Sequence, residues 1–115
     1  MTVQNVLDRV YELRPALYDD AGLLQKLLGL ENMILTEIHF THPLEHIGYD
    51  THLVVSSPYD DIYEQYLLAQ IDRNDMEIEQ YNQDMQLFNG TYQEYAARYR
   101  RDNLPKQGPQ VMNYA

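Results

Sequence analysis

The sequence predicts an all-α fold: a small helical bundle of about four helices with a long middle loop and an extended C-terminal tail. Three observations carry that expectation. Apolar residues recur at three- and four-residue steps through most of the 115 residues, the period of a helix that buries one face. The last such stretch, Ile78, Tyr81, Met85, Phe88, Tyr92, Tyr95 and Tyr99, steps by 3, 4, 3, 4, 3 and 4, a heptad-like seam. Only residues 52–56 read as a candidate strand, and they could equally form an extended segment pinned to the helices.

The first helix is expected from Thr2 to about Leu13. Val3, Val6, Leu7 and Val10 form its stripe, Thr2 is a suitable N-cap, and Pro15 denies Arg14 an easy helical conformation. A second helix begins at Asp19 or Asp20 and carries Leu23, Leu24, Leu27, Leu28, Ile34, Leu35 and Ile38. Gly29 inside it marks a kink, a close helix crossing or a break between two short helices. Residues 39–59 differ in kind. They hold Pro43, Pro58, Gly48 and all four histidines, and a connection of about 20 residues inside a compact domain is often functional. Ser57 and Pro58 fit the start of a third helix, with Ile62, Tyr63, Tyr66, Leu67, Ala69 and Ile71 as its stripe. Arg73-Asn74-Asp75 reads as a tight turn; the alternative is one unbroken helix. The last helix runs to Asp102. Its seam is mostly aromatic, which favours packing on the chain's own helices over a free zipper. We divide the chain into a helical domain, 1–104, and a tail, 105–115, where two prolines and a glycine end the periodicity.

Composition excludes several functions. With 18 acidic and 8 basic residues the net charge is −10, so whole-surface binding to nucleic acid or to an anionic membrane is disfavoured. No cysteine is present, which removes disulfides, zinc–thiolate sites and thiol catalysis. No apolar run reaches the roughly 18 residues of a membrane span, and the first residues lack the pattern of a secretory signal. A soluble, intracellular protein is expected. Tyrosine is abundant, at 11 residues, with no tryptophan, a balance suited to helix packing and interfaces.

Side-chain constellations point away from catalysis. His39, His42, His46 and His52 lie close together with Glu37, Glu45 and Asp50, but their spacing matches no closed metal motif, and Pro43 interrupts the one i,i+4 pair. No metal and no cofactor are expected. Asp60, Asp61, Glu64, Asp72, Asp75, Glu77 and Glu79 form an acidic stretch that reads as a solvated face or a surface for a basic partner. The glycines are dispersed, and the only serines, Ser56 and Ser57, lie in no nucleophile motif. An enzyme is not expected.

The run from Asp50 to Leu104 carries a resemblance. Its marks are Asp50-Thr51 before the apolar run, Pro58-Tyr59-Asp60-Asp61-Ile62-Tyr63, residues 66–72 (YLLAQID), Glu79-Gln80-Tyr81-Asn82, Phe88-Asn89, Tyr92, and Tyr99-Arg100-Arg101 with Pro105 behind. With the short first helix and the Leu-rich second, this resembles small helical proteins encoded in the head–tail gene cluster of tailed phages and prophages of Gram-positive bacteria, over roughly residues 3–105. Its motifs are structural. The resemblance implies a head–tail connector (adaptor): an α-helical protomer in a ring, usually a dodecamer, below the portal protein, linking capsid to tail. DNA would pass through the channel without specific binding. The implied location is the virion neck, after synthesis in the host cytoplasm, with no membrane contact. Other expectations left open are a tail completion protein or chaperone, or a small acidic binder of host proteins.

Two segments are expected to carry the contacts. Arg98, Arg100, Arg101, Leu104, Lys106, Val111, Met112 and Tyr114 combine half of the basic residues with separated apolar anchors, suited to docking an extended peptide on the portal. Leu44, Ile47, Tyr49, Leu53, Val54 and Val55 in the middle loop are expected to meet a neighbouring subunit or a further tail or neck protein. Deleting 42–52 is then expected to leave the helices folded.

Overall fold

The structure, a computed structural model, describes residues 1–15 and 19–103. Among these the chain forms four helices and no strand: α1 (Val3–Leu13), α2 (Asp20–Glu37), α3 (Asp61–Asn74) and α4 (Ile78–Asp102). The fold is all-α, as the periodicity predicts.

The helix ends follow from local chemistry. Thr2 Oγ1 accepts from the Asn5 amide at 3.2 Å, and Asn5 Oδ1 accepts from the Thr2 amide at 3.0 Å, a reciprocal cap. The Asp19 carboxylate accepts from the Ala21 amide at 3.1 Å and opens α2. That helix is continuous through Gly29, where an added Cβ would meet nothing within 4 Å. Neither a break nor a close crossing is present; the glycine lies on an open face. α3 starts later than expected. The Tyr59 amide bonds the Ser56 carbonyl at 3.0 Å, so Ser57 and Pro58 belong to a turn, and Asp60 is the N-cap. α3 and α4 are separate helices. Asp75, Met76 and Glu77 reverse the chain, with the Glu77 amide on the Asp72 carbonyl at 2.8 Å.

α3 is the central element. It packs on each of the other three, and α1 and α2, which both lie on α3, also meet through the Tyr11 hydroxyl, which donates to Asp20. α1 runs parallel to α3, with Arg9 on Glu64 at 2.8 Å and Arg14 on Asp72 at 3.1 Å. α2 runs antiparallel to α3, because Glu31 meets Tyr63 near the start of α3. Asp19, Gly22 and Leu23 of the α2 start line a cleft with Ile71 and Asn74 of the α3 end. α4 is antiparallel too: Phe88 lies against Tyr66 with ring centroids 5.1 Å apart. The bundle therefore has a loop end, where α2 and α4 finish, and a turn end, where α3 reverses into α4.

Residues 39–60 are a strap. Leu44 and Asn32 bond reciprocally, at 2.7 and 3.0 Å, holding the strap's first part along α2. The Tyr49 and Thr51 carbonyls then accept from the Gln4 and Val3 amides at 3.1 and 3.0 Å, groups a helix start otherwise leaves unpaired. The Leu53 amide donates to the Met1 carbonyl at 3.0 Å. Leu53 and Val55, 6% and 0% exposed, enter the core.

One buried carboxylate fixes this course. Glu31, 2% exposed, accepts from the Val54 amide and the Tyr63 hydroxyl, each at 2.8 Å. The Tyr63 hydroxyl accepts in turn from the Val55 amide at 2.9 Å. Burial pushes the Glu31 carboxyl above its ordinary range, although both donors pull the other way. The 42–52 deletion expectation is therefore corrected: that segment supplies partners for the first amides of α1.

Three stability outcomes follow. Tyr63→Phe strands the Val55 amide and one Glu31 oxygen, and should lower unfolding free energy by about 1–3 kcal/mol per orphaned group, with lost protection of the Val55 amide in hydrogen exchange. Phe88→Ala should lower it by about 3–5 kcal/mol. Gly29→Ala should raise it by about 0.5–1 kcal/mol. Denaturant titration measures all three.

Candidate functional site

Three surface or polar features could carry function, and their chemistry differs. The first is an acid pair near the turn end. Asp72 on α3 and Asp84 on α4, 3% and 7% exposed, are hydrogen-bonded to one another. Arg14, the C-cap residue of α1, reaches Asp72 Oδ2 at 3.1 Å and Asp84 Oδ2 at 3.9 Å. Burial first, and then the hydrogen bond and charge of Asp72, push Asp84 up to about 6. Burial acts on Asp72 in the same sense, but the Asp84 hydrogen bond and the Arg14 guanidinium outweigh it and hold Asp72 below its ordinary value. Between them the two acids therefore hold one proton below about pH 6 and lose it above. Such a pair resembles an acid–base couple in its titration, but it is closed to solvent and serves to join α1, α3 and α4.

The second feature is aromatic and lies at the loop end. His39 stacks on Tyr99 with centroids 4.0 Å apart and is hydrogen-bonded to the Tyr95 hydroxyl at 2.6 Å. Burial lowers the His39 pKa. Tyr59 meets Tyr95 edge-on, with centroids 5.8 Å apart at 61°. Between the 56–59 turn and α4 the rings of Tyr59, Tyr95 and Tyr99 wall a cleft of about 170 Å³ that also takes in Arg98 and Asp102. The upper part of the aromatic seam thus also packs on His39 and Tyr59, outside α3.

The third feature is a pair of exposed apolar side chains on unfavourable backbone. Phe40, φ 56°, and Met76, φ 64°, are the non-glycine residues with positive φ among those described. They are 81% and 78% exposed. A left-handed L-residue is disfavoured by roughly 1–2 kcal/mol relative to glycine, and neither side chain recovers that by burial. Phe40 follows α2 at the loop end, and Met76 sits in the α3–α4 reversal at the turn end.

The residues singled out in the sequence divide accordingly. Arg98, Arg100 and Arg101 are exposed on the last turns of α4, and Arg98 is paired to Asp102 at 3.1 Å. Leu104, Lys106, Val111, Met112 and Tyr114 lie outside the described residues. Leu44 and Tyr49 are exposed, while Ile47 and Val54 are half-buried. Leu53 and Val55 are corrected: both are sealed in the protomer's own core and have no surface left for a partner. His42, His46 and His52 are exposed on the strap. No cluster able to hold a metal ion occurs among the described residues, and no described helix is long and apolar enough to cross a membrane.

Sequence reasoning missed Glu31, Asp84, Phe40 and Met76. The first two left a signal. Glu31 stands four residues after Leu27 and three before Ile34, and Asp84 stands three after Tyr81 and four before Phe88. Each acid falls on an apolar track, which is how a partnered buried carboxylate reads. Positive φ at a phenylalanine or methionine leaves none. In comparisons with known proteins, no family model, no curated protein and no solved structure matches the chain.

A pH dependence follows from the acid pair. Asp84 has a folded pKa above its unfolded value, so its contribution is full below about pH 4 and is lost as pH rises through about 6. His39 acts in the opposite sense, opposing the fold as pH falls below its unfolded value near 6.5. Asp84→Asn, which keeps a donor toward Asp72, should raise stability at pH 7.5 by roughly 1–3 kcal/mol. It should also flatten the loss between pH 4.5 and 7.5 in urea titrations. An unchanged slope would move the titrating group elsewhere.

Proposed function

We propose that the chain is a head–tail connector of a tailed-phage particle, an adaptor that joins the portal protein to a further tail or neck protein and associates with its own copies in a ring. The observation that best supports this reading is the placement of Phe40 and Met76. A connector needs two separate attachment surfaces, and this bundle exposes a large apolar side chain at each end, both on backbone that glycine would hold more easily. Such positions oppose stability, and contact with a partner is a physical reason for a fold to carry them. Charge fits the same role. A surface with net charge −10 in a channel would let DNA slide without gripping it. The neck of the virion is the proposed location, after synthesis in the host cytoplasm.

The decisive experiment mixes the purified chain with a purified portal ring and images the product by electron microscopy. A ring of this chain on the portal is expected, with truncation after Asn103 removing attachment. Persistent separation of the two components would overturn the reading. Phe40→Gly and Met76→Gly offer a second check. Each should raise unfolding free energy by about 1 kcal/mol and remove one of the two attachments, so that a variant failing at both ends, or at neither, would count against the assignment.

A further inference from the structure

We propose that the cleft between the 56–59 turn and the last turns of α4 is the docking site for the proline-containing C-terminal segment, residues 104–115, of a second copy of this chain. The inference deepens the connector reading by naming what binds neighbouring subunits together.

The cleft has the chemistry that extended proline-containing peptides require. Its walls are the rings of Tyr59, Tyr95 and Tyr99, and its rim holds Ser57, Pro58 and Arg98. Aromatic faces accept proline rings, while hydroxyl and guanidinium donors suit the solvent-facing carbonyls of an extended segment. The walls are held before any ligand arrives. His39 stacks on Tyr99 and bonds the Tyr95 hydroxyl from behind, so little side-chain freedom remains to be lost on binding.

The occupant follows from where the chain goes next. α4 ends at Asp102, itself on the rim of the cleft. The next residues are 104–115, LPKQGPQVMNYA, with prolines at 105 and 109. Twelve extended residues span about 37 Å at roughly 3.1 Å each, enough to reach a neighbouring copy. The chain's own cleft lies back along α4, so self-occupancy requires immediate reversal at Leu104. A residue before proline is steered to extended conformations instead.

Each copy then donates one segment and accepts another, a head-to-tail contact that closes into a ring when its rotation permits. With Pro105 and Pro109 engaged on the neighbour, Val111, Met112 and Tyr114 stay available to the portal.

The test uses the full chain, the chain truncated after Asn103, and a synthetic peptide of residues 104–115. In sedimentation velocity the full chain should form multimers, while the truncated chain should be monomeric with an unchanged melting temperature. In NMR titration the peptide should saturably shift Tyr59, Tyr95 and Tyr99 of the truncated chain. A peptide carrying Pro105→Ala and Pro109→Ala should bind about tenfold more weakly. Ser57→Arg, at the exposed rim, should remove both peptide binding and self-association without changing the melting temperature. Three results would overturn the proposal: a truncated chain that still self-associates, a peptide that shifts other residues or none, or a monomeric full chain whose tyrosine signals already match the peptide-bound state. The portal enters none of these measurements, so loss of portal attachment with peptide binding intact would count against the connector reading alone.

Discussion

Glu31 is a carboxylate enclosed by α2, α3 and the strap, and the arrangement of the domain depends on satisfying it. An unpaired charge in such a place opposes folding by several kcal/mol. Its two oxygens are met by the Tyr63 hydroxyl and the Val54 amide, and Tyr63 passes the bonding on to Val55. A leucine at 31 could fill the space, but it would not choose between strap registers. The carboxylate does choose. Sliding the strap by one residue would exchange buried Leu53 and Val55 for half-buried Val54, because side chains alternate along extended backbone.

From this choice the rest follows in order. With the strap fixed, the Tyr49 and Thr51 carbonyls stand where the first amides of α1 need acceptors. α1 has 11 residues, too few to persist alone in water, and its direct polar contact with α2 is the bond from the Tyr11 hydroxyl to Asp20. It is held by the strap at its start, by its stripe of Val3, Val6, Leu7 and Val10 in the core, and by Arg14 at its end. Arg14 offsets part of the charge of Asp72 and Asp84, which lets α4 lay its Asp84 against Asp72 of α3 at the turn end. The two polar networks occupy opposite ends of α3, and the apolar core lies between them.

What was legible in the sequence is what repeats. Three- and four-residue spacing locates four helices, Thr2 and Asp19 mark two starts, and Pro15 marks a stop; these depend on local chemistry that a few adjacent residues express. The strap was legible as a segment but not as a structure. Its path depends on Glu31 and Tyr63, which are 32 residues apart, and no local pattern pairs them. The same distance hid the difference within residues 53–55. Read locally, three apolar residues form one surface; in the fold two of them are core. At the start of α3 the local signal was present but misplaced, because Ser56 and Tyr59 close a turn before the helix begins. Of the candidate contacts, charge and exposure on α4 could be read directly, whereas Phe40 and Met76 are singled out only by backbone geometry.

The two ends of the bundle are chemically unlike, and that asymmetry bears on what a small acidic domain can do. At the loop end, stacked aromatic rings, the α4 arginines and exposed Phe40 lie on rigid packing around His39. At the turn end, Met76 and Ile78 stand among exposed Asp75, Glu77 and Glu79, over a carboxyl pair whose charge changes at about pH 6. A flexible thioether in an acidic surround adapts to a partner's shape and favours a basic one. Fixed tyrosines beside guanidinium groups favour an extended peptide of defined chemistry. Unlike ends allow one face to serve one partner while the other serves a second. Were the domain to join two different protein surfaces, that difference would give the joint a direction.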